Sequence, residues 1–150
     1  MKLKTPDSIV NGHENLRSEL EDIINVKGDI GEAAKLLYEV MTKHFQKEEK
    51  YAFPPLSLLL IMSQGHWEFN ADEAIKMTET LESRLSELAI EHEGILKALK
   101  VLKNVADNEN NSQAKQFVKD LIIHVEIEDQ VLYPSTILIG NFLKHLKHEK

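Results

Sequence analysis

His124-Val125-Glu126-Ile127-Glu128-Asp129, running on to Tyr133-Pro134, decides how the chain is read. An earlier stretch repeats it: His44-Phe45-Gln46-Lys47-Glu48-Glu49, running on to Phe53-Pro54. In each copy a Glu follows the His by four positions, an acid by five, an aromatic by nine and a Pro by ten. Positions i and i+4 share a helix face, so each His and its Glu can address one point. A further His precedes each copy. His13, in His13-Glu14-Asn15-Leu16-Arg17, lies 31 residues before His44, and His92, in His92-Glu93-Gly94-Ile95-Leu96, lies 32 before His124. The same helix pair is thus used twice, each pair supplying two His and one Glu. Four His and two Glu brought to one place are the donors of a two-metal site.

Working outward, each of these residues interrupts an apolar stripe of helical period. His13 falls among Ile9, Leu16, Leu20, Ile23 and Ile24, in a helix opened by Thr5-Pro6-Asp7. Gly28-Asp29 stops that helix and restarts the next, with Asp29 as N-cap. The second helix carries Ile30, Ala33, Ala34, Leu37, Val40 and Met41, then His44 and Glu48, and ends at Pro54-Pro55. Residues 56–70 read as a connection with its own apolar turn, containing Gly65-His66-Trp67. Asn70 can cap a third helix running to about Ala106, whose stripe is Met77, Leu81, Leu85, Leu88, His92, Ile95, Leu99 and Leu102. Asp107 to Ser112 is a polar turn. A fourth helix presents Phe117, Leu121, His124, Glu128 and Val131 on one face and closes at Pro134, and Ser135 to Lys150 adds a short amphipathic helical tail. The expected fold is all-α, an up-down antiparallel four-helix bundle with that tail, in a single domain over 1–150 with its core at about 8–134.

Composition narrows the chemistry. The net charge of -7 argues against nucleic acid or an anionic membrane surface as partner. With no cysteine, thiolate zinc sites, iron–sulfur ligation and disulfides by this chain are excluded. The apolar patch from Leu58 to Met62 is far short of the roughly 20 residues a membrane helix needs. The N-terminal residues lack the apolar run of a signal peptide, so a cytoplasmic protein is expected.

Any one His on an apolar face reads most simply as a hydrogen-bonded core residue, and an isolated His-x-x-x-Glu as a surface pair. The doubled arrangement changes that reading. Burying an ionised carboxylate without a partner costs several kcal/mol, of order, and a metal pair offsets the cost. The expected ligands are His13, His44, Glu48, His92, His124 and Glu128. Two bridging Glu plus two His per metal leave room for a solvent-derived bridge and a small molecule; iron, manganese and zinc all accept such donors, and iron suits open redox sites. Glu49 and Asp129 read as partners of the ligands or as solvated charges. His66, His145 and His148 read as exposed or structural, and Tyr133 as core packing with a hydroxyl that could approach a metal.

On these motifs the chain resembles the hemerythrin-like family, the HHE cation-binding domains, over about residues 8–134. The resemblance implies a four-helix bundle around an oxo- or hydroxo-bridged di-iron centre, with two iron ions held by the six residues just named and zinc or manganese as substitutes. It departs from oxygen-carrying members, which have a further His one turn from the third-helix ligand; here Leu88 and Leu96 occupy those places. The site is more symmetric and more open than theirs, closer to relatives that sense oxygen or iron or repair iron centres, although those repair proteins carry a cysteine-bearing N-terminal segment. The implied function is a non-enzymatic di-iron protein that binds or senses O2, NO or iron status. The alternative is redox turnover of peroxide or NO, or iron donation to damaged centres; a metal held only for structure is a third.

Overall fold

The computed structural model describes residues 2–149, and among these the regular structure is entirely helical. Helix α1 spans Asp7–Ile24, α2 Asp29–Lys47, α3 Leu59–Ser63, α4 Ala71–Glu109, α5 Ser112–Ile127 and α6 Tyr133–His148. Helices α1, α2, α4 and α5 contact one another in a ring, α1 on α2, α2 on α4, α4 on α5 and α5 on α1, while α6 packs on α4. No helix among the described residues is long and apolar enough to cross a membrane.

Local chemistry sets most boundaries where the stripes place them. Asn70 caps α4 by accepting from the Asp72 N–H at 3.0 Å, as expected. Helix α4 runs three residues beyond the expected Ala106, because Asn110 takes the left-handed conformation (φ 53°) that ends helices. Asn111 then caps α5 at once, accepting from the Ala114 N–H at 2.9 Å. Between α1 and α2 the cap position is held by Gly28 rather than Asp29. Its φ of 93° suits glycine, and Asp29 becomes the first residue of α2.

The larger difference lies at the two prolines after the repeated motif. Both copies pass into a single π turn that begins at the motif's Glu: Glu48–Ala52 and Glu128–Leu132. The Phe53 N–H donates to the Glu48 carbonyl and the Tyr133 N–H to the Glu128 carbonyl, five residues back in each case. In the second copy the chain does not close at Pro134. The widened turn lets Pro134 fall in the first turn of α6, where its missing N–H has no partner to lose. In the first copy Pro55 directly follows Pro54, and a residue before proline disfavours the α conformation. There the chain leaves the axis through a 3-10 turn, Pro54–Leu58, and the short α3. The extra residue in the π turn also shifts the stripe, so Val131, expected on the buried face, is exposed while Tyr133 is buried.

Two apolar clusters result, with the polar residues between them. One contains Leu20, Ile23, Leu37, Met41, Phe45, Ile95, Leu99, Phe117 and Leu121. The other contains Tyr51, Phe53, Leu58, Leu81, Leu88, Tyr133, Ile139 and Leu143. Leu88 and Ile95, about one turn either side of His92 on α4, belong to different clusters, which places His92 at the seam.

Candidate metal site

All six residues singled out by the repeated motif meet at that seam. His13 (α1), His44 (α2), His92 (α4), Glu48 and Glu128 (the first residues of the π turns) are buried, and His124 (α5) is partly exposed. Their ligand atoms form two groups, each within 4.8 Å: His13, His124, Glu48 and Glu128 in one; His44, His92, Glu48 and Glu128 in the other. The two carboxylates are common to both. The histidines therefore pair α1 with α5 and α2 with α4, across the two sequence repeats rather than within them.

Each carboxylate divides its oxygens between the groups. Glu48 turns Oε1 toward His13 Nε2 (3.4 Å) and Oε2 toward His44 Nε2 (3.1 Å) and His92 Nε2 (3.8 Å). Glu128 turns Oε2 toward His13 Nε2 (3.5 Å) and His124 Nε2 (2.9 Å), and Oε1 toward His92 Nε2 (3.2 Å). Despite these distances, His13 Nε2, His124 Nε2, Glu48 Oε1 and both Glu128 oxygens make no hydrogen bond among the described residues. Buried polar atoms are nearly always paired. Here the nitrogens and oxygens converge without aligning to one another, which is how donors to a shared cation are disposed. The donor set fits a metal cation.

The outer nitrogens are fixed by acids. His13 Nδ1 is 2.9 Å from Glu49, His92 Nδ1 is 2.9 Å from Asp129, and His44 Nδ1 is 2.8 Å from Glu91. A carboxylate on the far nitrogen sets ring orientation and tautomer and raises ligand basicity. The acid five residues after each motif His thus serves the preceding His on another helix. Glu91 was not among the expected site residues. It sits on α4 beside His92 but reaches across to α2, a contact no spacing within one helix could reveal. Burial pushes the Glu91 carboxyl up, but Lys47 and His44 outweigh it and hold it below the usual range.

The packing role expected for Tyr133 accounts for its ring, which is buried against Phe53 at 5.6 Å and stacked on His92 at 5.5 Å. Its hydroxyl, however, points into the site, donating to Glu48 and standing 3.3 Å from His44 Nε2 and 3.2 Å from His92 Nε2. His66, His145 and His148 are exposed and take no part.

The model of the hemerythrin HHE cation-binding domain matches residues 6–136. The chain belongs to that family. No curated protein and no solved structure gave a match. Hemerythrin HHE domains bind metal cations, and the matched span holds all six converging residues along with Glu49, Glu91, Asp129 and Tyr133. In this HHE domain the protonation of the metal-free site is also set by the cluster. Burial pulls the His13 and His92 imidazoles down, but the Glu128 and Glu48 carboxylates beside them prevail and raise both to about 10. Burial pushes the Glu48 carboxyl up, and His13 and His44 hold it well below its ordinary value. Without a cation the site balances its charge with protons.

Proposed function

We propose that this HHE domain is a non-haem di-iron protein whose task is to bind or sense a small ligand, O2 or NO, or the iron supply. The observation that carries the reading is the division of each buried carboxylate between two histidine pairs, which supports two cations bridged by Glu48 and Glu128. His13 and His124 would hold one ion, and His44 and His92 the other. The ring of contacts among α1, α2, α4 and α5 supports an up-down antiparallel bundle around them.

Imidazole and carboxylate donors accept iron, manganese and zinc; iron is favoured because two histidines and two shared carboxylates leave positions free for a ligand. Iron held by these residues would supply ligand-binding and redox chemistry towards a diatomic molecule. The chain's own residues decide the surroundings. Glu49, Asp129 and Glu91 hold three imidazoles in place, Tyr133 Oη donates a proton-bearing bond to Glu48, and Phe45, stacked on His13 at 3.8 Å, keeps water from one wall. Three of the four imidazoles are held in one orientation by carboxylates, which suits binding of a ligand without rearrangement of the site.

The test is an absorption spectrum of the iron-loaded, reduced protein as O2 is admitted and withdrawn. A charge-transfer band that comes and goes is the expected result. A one-way change to a stable oxidised spectrum would replace this reading with redox turnover or iron donation.

A further inference from the structure

The two halves of the site differ, and the difference lies in the aromatic residue nine positions after each motif His. The second copy has Tyr133 and the first has Phe53. On the His44/His92 half the phenol oxygen stands within 3.3 Å of both inward imidazole nitrogens while bonded to Glu48. On the other half, His13 Nε2 and His124 Nε2 are buried and have no hydrogen-bond partner among the described residues. Their walls are phenyl rings. Phe45 lies flat on His13 at 3.8 Å and edge-on to His124 at 5.5 Å, and Phe53 stands 6.4 Å from His13.

Exposure differs in the same sense. The His124 side chain is 20% exposed, against 0% for His13, 1% for His44 and 4% for His92. The other three imidazoles are each pinned by a carboxylate on Nδ1, whereas His124 has none among the described contacts. Solvent therefore comes closest to the site at the edge of His124.

We propose that a small exogenous ligand binds only on the His13/His124 half and enters past His124, because the Tyr133 hydroxyl occupies the matching place on the His44/His92 half. The proposal rests on the di-metal reading and deepens it by assigning the open side. A phenyl-walled half with no hydroxyl of its own suits a di- or triatomic ligand that needs only the metal and sheds its water on entry. Tyr133 acts here as a positioning residue. It steadies Glu48 through its O–H bond and excludes the ligand from its own side.

The test uses the full chain loaded with iron and oxidised, with azide as the probe. Iron per chain is measured first, and azide stoichiometry is then read from the charge-transfer absorption. The wild type should bind one azide per iron pair, and Tyr133→Phe, which removes only the hydroxyl, should bind two. Phe53→Tyr, which adds a hydroxyl to the ring near His13, should keep its iron and lose azide binding. The proposal is overturned by two azides or none in the iron-replete wild type, by a stoichiometry of one in Tyr133→Phe, or by unchanged azide binding in an iron-replete Phe53→Tyr. A wild-type chain that takes up no iron overturns the di-metal reading as well, and the iron assay alone distinguishes that result.

Discussion

Removing metal from the loaded protein should lower its melting temperature, and the gap should widen as pH rises. Glu48 and Glu128 are fully buried or nearly so, and five polar atoms of the site have no hydrogen-bond partner among the described residues, so a cation there binds the folded chain far better than the unfolded one. An ion present at about 1,000 times its Kd stabilises the native state by about 4 kcal/mol. For a chain of this size that corresponds to roughly 8–16 °C per ion. The metal-free protein is not left with bare charge, because His13 and His92, raised from 6.5 to about 10, stay protonated beside the carboxylates. A histidine whose folded-state pKa is raised gives stability that is complete below about 6.5 and is lost as pH climbs through about 10. Ligating imidazoles are neutral, so the loaded protein does not suffer that loss. Calorimetric melts of loaded and chelated protein near neutral pH, and about two units above it, would show the difference. An unshifted melting temperature, or a gap that shrinks with rising pH, would refute the reasoning.

Glu48→Ala and Glu128→Ala should each remove most of the bound metal, since either change takes away a carboxylate shared by both groups; unchanged metal content in both variants would remove the site assignment. Asp129→Asn, Glu49→Gln and Glu91→Gln should each weaken metal binding by about 10–100-fold without unfolding the chain, measured by competition with a chromophoric chelator. Gly94→Ala should raise stability by about 0.5–1 kcal/mol in denaturant titrations, because nothing lies within 4 Å of the added Cβ and alanine is the better helix former. Gly140→Ala should lower it by about 1–3 kcal/mol, because the added Cβ collides with the Thr78 side chain where α6 crosses α4.

The helices and the six converging residues were legible because both rest on periodicity. A His or Glu that replaces a leucine on an apolar stripe announces that it faces inward, and α1, α2, α4 and α5 each carry such a replacement. Leu85 shows what periodicity leaves undetermined. It lies on the α4 stripe with Leu81 and Leu88, yet is exposed where they are buried, since a stripe gives a helix face and not what covers it. Pro134 departs from its expected role for a different reason. Proline ends an ordinary helix, but the π turn starting at Glu128 removes the conflict, and the chain continues as α6.

Sequence by itself determined which His and Glu interrupt the apolar stripes and turn inward, because the periods of 3.6 and i, i+4 are local properties of the chain. Which histidines stand together around the two carboxylates was decided only by the tertiary structure. His13 joins His124 and His44 joins His92 because helix neighbours in space are not the neighbours in sequence. The same holds for Glu91 crossing from α4 to His44 and for the Tyr133 hydroxyl arriving beside Glu48, 85 residues away in sequence. Contacts between helices depend on how whole faces pack. No spacing along one helix carries that information.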